Sequence, residues 1–389
     1  MQICITNIEI YTERAIIPNG SIVIENDTIA AIHTAPVNNH KYATVIDGSG
    51  LSAIPGYIDT HCHGGYGFDC NDATMRSVIG MRDFYGRHGI TTLYPTLSAN
   101  AIPDTINGLE TIREVMLQNT PGKTEIGGCH LEGPFLNKVY KGCQAEHHMI
   151  PLNDEYMQLY ETYKDVIKRT TIAPEVERNV TYFPALRKMG IQVTVGHSCA
   201  EYKEVEYATQ MGAAGVTHLY NAMSQTKKTG PFRIGGVLEA GLVLDDLYAE
   251  IIADGYHVPN ELIQIAYRCK GVDKMIISSD ANAAAGGAHG DVFHTCGTSF
   301  VIEQGVAMNM ERTSLASSIS PVDSMVRYLI FNTWLPAFDV VKMASTTTAA
   351  MMKIDDRKGA LAVGKDADIN LIDNRFNVVR TFCKGQAIS

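Results

Sequence analysis

Eight short apolar runs punctuate the middle of the chain, and the amphipathic stretches between them constrain the fold more than any other feature. The runs are "GYIDT", "TTLYPTL", "EIGGCHLE", "RTTIAPE", "QVTVGH", "AGVTH", "YAEIIAD" and "KMIISSD". Typical intervening segments, "ATMRSVIGMRDFYGRHG" and "EYKEVEYATQMGA", repeat their apolar residues at helical spacing. Strand and helix in regular succession is the pattern of βα units on a parallel sheet. Eight such units predict an α/β fold, a closed (β/α)8 TIM-type barrel, with a doubly wound open sheet as the alternative. The two ends of the chain differ from this middle. "ICITNIEIYT", "GSIVIENDTIAAIH" and "ATVIDGSG" at the start, and "GALAVGKDADINLIDNRFNVVRTFCKG" at the end, read as short alternating strands broken by Gly and Asn-Asp turns. They predict one small β-sandwich domain built from residues 1–53 and 355–389 beside a catalytic barrel at 54–354. A barrel of about 250 residues plus a satellite suits the length of 389.

Composition narrows the partners. A net charge of -10 without basic blocks argues against nucleic acid, the one local basic cluster being "TKK" at 226–228. No apolar stretch approaches the roughly 20 residues that span a bilayer, so no membrane contact is expected. The start "MQICITNIEI" lacks the features of a signal peptide, and the nine cysteines form no Cys-x-x-Cys pair. Reduced thiols in a cytoplasmic protein fit this pattern.

Barrel strands place functional groups at their C-terminal ends, and polar residues fall there repeatedly. In "PGYIDTHCHGG", His61 and His63 stand one residue apart, so on a strand both imidazoles share a face while Cys62 points away. Glu132 ends the third run in "CHLEGPF", His197 the fifth in "VTVGHS", His218 the sixth in "GVTHLYNAM", and Asp280 the eighth in "IISSDAN". Each alone reads as a hydrogen-bonded strand terminus or a helix cap, but six on one rim are the donor set of a catalytic divalent ion. Nitrogen and carboxylate donors suit Zn²⁺, and also Fe²⁺ or Mn²⁺. Such an ion lowers the pKa of water from about 15.7 to about 7. Asp280, across the rim, could take a proton as water attacks a carbonyl and return it to a departing amine. The chemistry predicted is metal-assisted amide hydrolysis.

With these residues in place, the chain resembles the amidohydrolase superfamily, and within it the N-acetylglucosamine-6-phosphate deacetylases. "PGYIDTHCHG", "HLEGPFLN", "APE", "VGHS", "THLYNAM", "IADGYHV", "SDANAAAG" and "DRKGALAVGKDADINLID" match that family's motifs in order. "HLEGPF" with "THLYNAM" is specific to it, whereas His-x-His and "GKDAD" occur across the superfamily. The resemblance implies a barrel flanked by a β-sandwich, a homodimer, and a small N-acetyl amino sugar phosphate as substrate. It implies that Glu132, His197 and His218 hold the main metal and that Asp280 is the general base and then acid. It further implies that His257 contacts the sugar and that Asn221 and Ala222 bind the substrate's far end. Some members lack the first histidine pair and hold one metal. This chain keeps His61 and His63, so a second ion bridged by Glu132 is expected, giving one or two per subunit.

Three departures lie on the substrate side. Where the family has Lys-Gly-Ala-His the chain has "KGCQ", placing Gln144 at a substrate-contacting histidine's position. Gln donates a hydrogen bond but carries no charge. Where the family has Arg-Glu-Pro-Gly the chain has "RIGG", making Arg233 the expected anion clamp, with Lys227 and Lys228 nearby. "TSLASSI" replaces a Leu-Ala-Gly-Ser turn and puts Ser317 in the pocket wall. Cys62 and Cys143 lack a partner base in sequence and read as packing residues, and His147 and His148 in "AEHHM" read as surface or lid residues. The function expected is hydrolysis of N-acetylglucosamine 6-phosphate to glucosamine 6-phosphate and acetate. The alternatives are the galactosamine epimer, an unphosphorylated N-acetyl amino sugar or another N-acyl amine, and a scaffold without chemistry.

Overall fold

The computed structural model describes residues 2–37, 42–295 and 298–388. All eight apolar runs contribute strands to one parallel barrel: Tyr57–Cys62, Ile90–Leu97, Cys129–Glu132, Ile167–Ile172, Gln192–Val195, Gly215–Val216, Tyr248–Ile251 and Met275–Ile277. Each pairs in parallel with the next. The ring closes where Asp280 N donates to His61 O and His63 N to Ala281 O, both at 2.8 Å. That closure rules out the open sheet, and it ties the end of the last strand to the end of the first.

The helices form for the reasons their spacing gives. Met75–Arg87 starts at Thr74, whose hydroxyl accepts from Ser77 N, and it buries Val78, Met81, Phe84 and Tyr85 at intervals of three and four. Tyr202–Met211 buries Val205 and Ala208 and stops at Gly212, whose φ of 115° most side chains avoid. Each large apolar side chain so buried contributes about 1.5–3 kcal/mol. Among the described residues no helix is long and apolar enough to cross a membrane.

Both chain ends enter one eight-stranded sheet. Its central strand Gln2–Tyr11 pairs with Ile16–Glu25, Thr44–Asp47 and Ser52–Pro55, and Ile369–Ile372 pairs with Ser52–Pro55 from the other side. Ile5, Ile8, Ile10, Ile22 and Ile24 share a core with Ile369, Leu371 and Phe382, separate from the barrel's. From Ser52–Pro55 the chain passes straight into the first barrel strand through Gly56, where a Cβ would lie 2.3 Å from the Thr91 side chain.

A buried ionic seam joins sheet and barrel. Lys358 Nζ lies 2.5 Å from Asp368, 3.1 Å from Asp366 and 3.3 Å from Glu125 of the barrel, and Lys384 Nζ is 2.7 Å from Glu125. Arg357 pairs with both Glu125 and Asp366. Burial pushes the Glu125 carboxyl up, but these cations outweigh it and hold its pKa at about 2.

Candidate active site

Three of the residues at the rim have a backbone conformation that L-residues seldom adopt. His197, His218 and Asp280 have φ of 48°, 35° and 44°, each two or three positions past the end of its barrel strand. Such left-handed positions cost about 1–3 kcal/mol each and persist where surrounding contacts fix them. Here they turn the chain sharply off the strand. The sixth strand, Gly215–Val216, ends two positions ahead of His218.

The side chains converge. His61 and His63 bring their Nε2 atoms within 3.2 Å of each other, while buried Cys62 packs in the main core as the alternation requires. His197 and His218 bring theirs within 3.1 Å. Glu132 stands between the pairs: Oε1 lies 3.3 Å from His197, 3.2 Å from His218 and 3.4 Å from His61, and Oε2 lies 3.1 Å from His63. Asp280 Oδ1 is 3.2 Å from His61 Nε2 and 3.4 Å from His63 Nε2. Two overlapping donor groups result, His61–His63–Glu132 and Glu132–His197–His218.

The far sides of the rings decide what this cluster accepts. His61 Nδ1 meets Glu250 Oε1 at 2.8 Å, His197 Nδ1 the carbonyl of Tyr140 at 2.6 Å, and His218 Nδ1 the carbonyl of Asn221 at 3.1 Å. A carboxylate and two carbonyls only accept, so each Nδ1 donates outward and each Nε2 is left facing the cluster as a potential ligand atom. His63 Nδ1 meets the hydroxyl of Ser98 at 3.1 Å. Lone pairs facing one another at hydrogen-bond distance, with two carboxylates among them, repel unless a cation lies between. Asp280 Oδ1, buried and without a hydrogen bond, is a further acceptor with the same need. The residues fit a divalent ion. Burial pushes the carboxyls of Asp280 and Glu132 up, and positive charge within the imidazole cluster outweighs it and pulls both below the usual carboxylate range.

A cavity of about 350 Å³ opens over these donors. His63, Glu132, His197, His218, Asp280, Gln144, Asn221, Ala222 and His257 line it, as do Leu315 and Ser317 of the "TSLASSI" loop. His61 lies beneath, in contact with Glu132 and Asp280. His257 is held by Asp254, its Nδ1 2.7 Å from Oδ2. Burial pulls the pKa of His257 down, but Asp254 overcomes this and raises it. Gln144 reaches the site on the loop containing Gly142, whose φ of +57° and missing Cβ let it lie against the His197 ring.

Arg233 is the one expected contact that a single chain does not bring to the cavity. It sits exposed on the hairpin of Lys227–Thr229 and Phe232–Ile234, opposite Lys228. Lys227 pairs with Glu201 at 3.1 Å. The rings of His147 and His148 lie 4.0 Å apart, tilted by 45°, on the wall of a neighbouring cavity, apart from the donor set. Sequence reasoning passed over Glu250 and Arg169, which form a fully buried ion pair below the donors. Their signal was a charged residue within a buried barrel strand, Glu250 in Tyr248–Ile251 and Arg169 in Ile167–Ile172.

Known proteins share this arrangement. Residues 52–388 match the amidohydrolase family. The N-acetylglucosamine-6-phosphate deacetylase of Bacillus subtilis (strain 168) is 30% identical over 385 residues, 98% of this chain and 96% of that protein. That of Vibrio furnissii is 31% identical over 374 residues, 94% of this chain and 90% of its own length. The crystal structure of the Pasteurella multocida N-acetylglucosamine-6-phosphate deacetylase superposes with a TM-score of 0.93 at 29% identity, covering 100% of both chains. With a closed barrel, a two-ended sheet domain and relatives aligned along nearly its whole length, the chain belongs to the amidohydrolase family, among its N-acetylglucosamine-6-phosphate deacetylases.

Proposed function

We propose that the protein hydrolyses the N-acetyl group of N-acetylglucosamine 6-phosphate, releasing acetate and glucosamine 6-phosphate. The observation that carries this reading is the set of inward-facing imidazole nitrogens around Glu132, with a buried, hydrogen-bond-free Asp280 oxygen beside them. The names of the relatives supply the substrate. His61, His63, Glu132, His197 and His218 would hold one or two divalent ions, zinc first among candidates, with Fe²⁺ and Mn²⁺ suited to the same donors. An ion so held supplies Lewis acidity, which acidifies water and polarises an amide carbonyl.

The chain's own groups do the rest. Asp280, ionised at neutral pH, accepts the proton of the attacking water and delivers it to the sugar nitrogen as the C–N bond breaks. His257, braced by Asp254, offers its imidazole to the sugar from the cavity wall. Asn221 and Ala222 contact the substrate's far end, and Gln144, whose amide nitrogen is bonded to Glu132, lies beside the reacting centre.

Arg233 clamps the 6-phosphate only if the hairpin that carries it meets the cavity of a second copy, which accords with a homodimer. Barrel residues 54–354 carry the site, and residues 1–53 with 355–389 form the companion domain. The enzyme works in the cytoplasm. The deciding experiment measures acetate release from N-acetyl amino sugars of both epimers, each with and without the 6-phosphate. The highest kcat/KM is expected for N-acetylglucosamine 6-phosphate. A higher value for the galactosamine epimer or an unphosphorylated sugar would overturn the substrate assignment.

A further inference from the structure

We infer that the buried Arg169–Glu250 pair is a positioning device for the metal ligands, and for His61 above all. The inference rests on the metal reading of the site. Arg169 is 0% and Glu250 1% exposed, inside the barrel directly behind the donors. Glu250 Oε1 accepts from His61 Nδ1 at 2.8 Å and is 3.3 Å from the backbone N–H of His218, so one oxygen touches a ligand from each donor group. Arg169 grips the other oxygen, Oε2, through Nη1. The same guanidinium donates to Thr60 Oγ1 at 3.0 Å and to Thr217 Oγ1 at 3.2 Å. Thr60 directly precedes His61, and Thr217 directly precedes His218. One planar fork therefore fixes the acceptor that orients His61 and the backbone positions from which both histidines project.

Packing alone does not call for such a pair. Taking two charges out of water costs more than their attraction commonly returns, and apolar residues of similar volume usually serve a core as well. What an apolar pair cannot supply is a fixed acceptor behind His61. A histidine that ligates through Nε2 is held by a partner on its other nitrogen, and loss of that partner typically weakens metal binding 10–100-fold. Behind His63 stands the neutral Ser98 hydroxyl at 3.1 Å, whereas Glu250 gives the His61–His63–Glu132 group a charged brace.

Two double variants separate positioning from packing. Arg169→Met/Glu250→Leu removes both charges and the acceptor, whereas Arg169→Met/Glu250→Gln removes the charges and leaves an amide oxygen facing His61. Zinc is titrated into each metal-free protein against a competing chelator, and metal-free melting temperatures are compared. The leucine double is expected to melt near wild type yet bind zinc 10–100-fold more weakly at the His61 group, with the glutamine double recovering most of the loss. A folded leucine double with wild-type zinc affinity and stoichiometry would overturn the inference while leaving the metal site intact. Wild-type protein that binds no zinc, iron or manganese would overturn the site reading itself. Should the leucine double not fold, zinc-loaded wild type labelled with ¹⁵N-histidine gives the answer. A slowly exchanging Nδ1–H resonance of His61 is expected, and its absence would overturn the inference.

Discussion

Gln144 Nε2 donates to Glu132 Oε2 at 2.8 Å while Gln144 Oε1 accepts from Ala99 N at the same distance. The amide is thus a strut between the second barrel strand's loop and the carboxylate shared by both donor groups. A hydrogen bond to a charged acceptor contributes about 1.5–3 kcal/mol. Gln144→Met keeps the volume and removes both bonds. It is expected to lower kcat/KM at least about 10-fold, with metal content reduced in parallel, read by steady-state kinetics and elemental analysis of the same preparation.

Asp280→Asn preserves the shape of the rim and removes the proton acceptor. Metal content is expected to stay near wild type while kcat falls by about 10² to 10⁴, the range typical of a lost general acid–base. A kcat close to wild type would take Asp280 out of the reaction.

His218→Ala differs from Asp280→Asn because it removes a donor. Both metal and activity should be lost together, and adding excess zinc should restore part of each. Chelation of the unaltered enzyme should abolish acetate release, and returning the ion should recover it.

Arg233→Ala tests the anion clamp. For the phosphorylated sugar KM should rise by about 10-fold or more with kcat little changed, since the guanidinium lies away from the scissile amide. The unphosphorylated sugar should show no difference. Because Arg233 lies off the cavity of its own chain, mixing this variant with Asp280→Asn protein should restore some activity if the residue acts across a dimer.

Glu125 makes the seam between sheet and barrel sensitive to acid. Its pKa lies near 2 in the fold against 4.5 as the ordinary value. The stabilisation it brings is therefore complete above about pH 4.5 and is lost as pH falls toward 2. A shift of that size corresponds to roughly 3 kcal/mol. Glu125→Gln should lower the urea midpoint at pH 7 and flatten its decline between pH 5 and pH 3.

The barrel was legible in the sequence because its strands are apolar runs at regular spacing and its donors stand at their ends, where the fold sends them. His61, His63, Glu132, His197, His218 and Asp280 converge as read. Arg169 and Glu250 were not legible as a pair: they stand 81 positions apart in the chain, and only barrel closure makes them neighbours. Gln144 was legible as a site residue but not as a strut, because its partner Ala99 N is a backbone group with no signature in the sequence. The position of Arg233 depends on where a hairpin points, which side-chain pattern does not encode.

Strand Ser52–Pro55 leads through Gly56 alone into the strand that carries His61, and its outer edge is covered by Ile369–Ile372. Asn370 also reaches back to Gly89 O at 2.9 Å, across 281 residues. During synthesis, then, the nascent chain cannot complete the frame around its first metal-binding strand until almost the last residues have left the ribosome. A chain cut before residue 369 would hold every residue of the donor set and still lack the edge that steadies two of them.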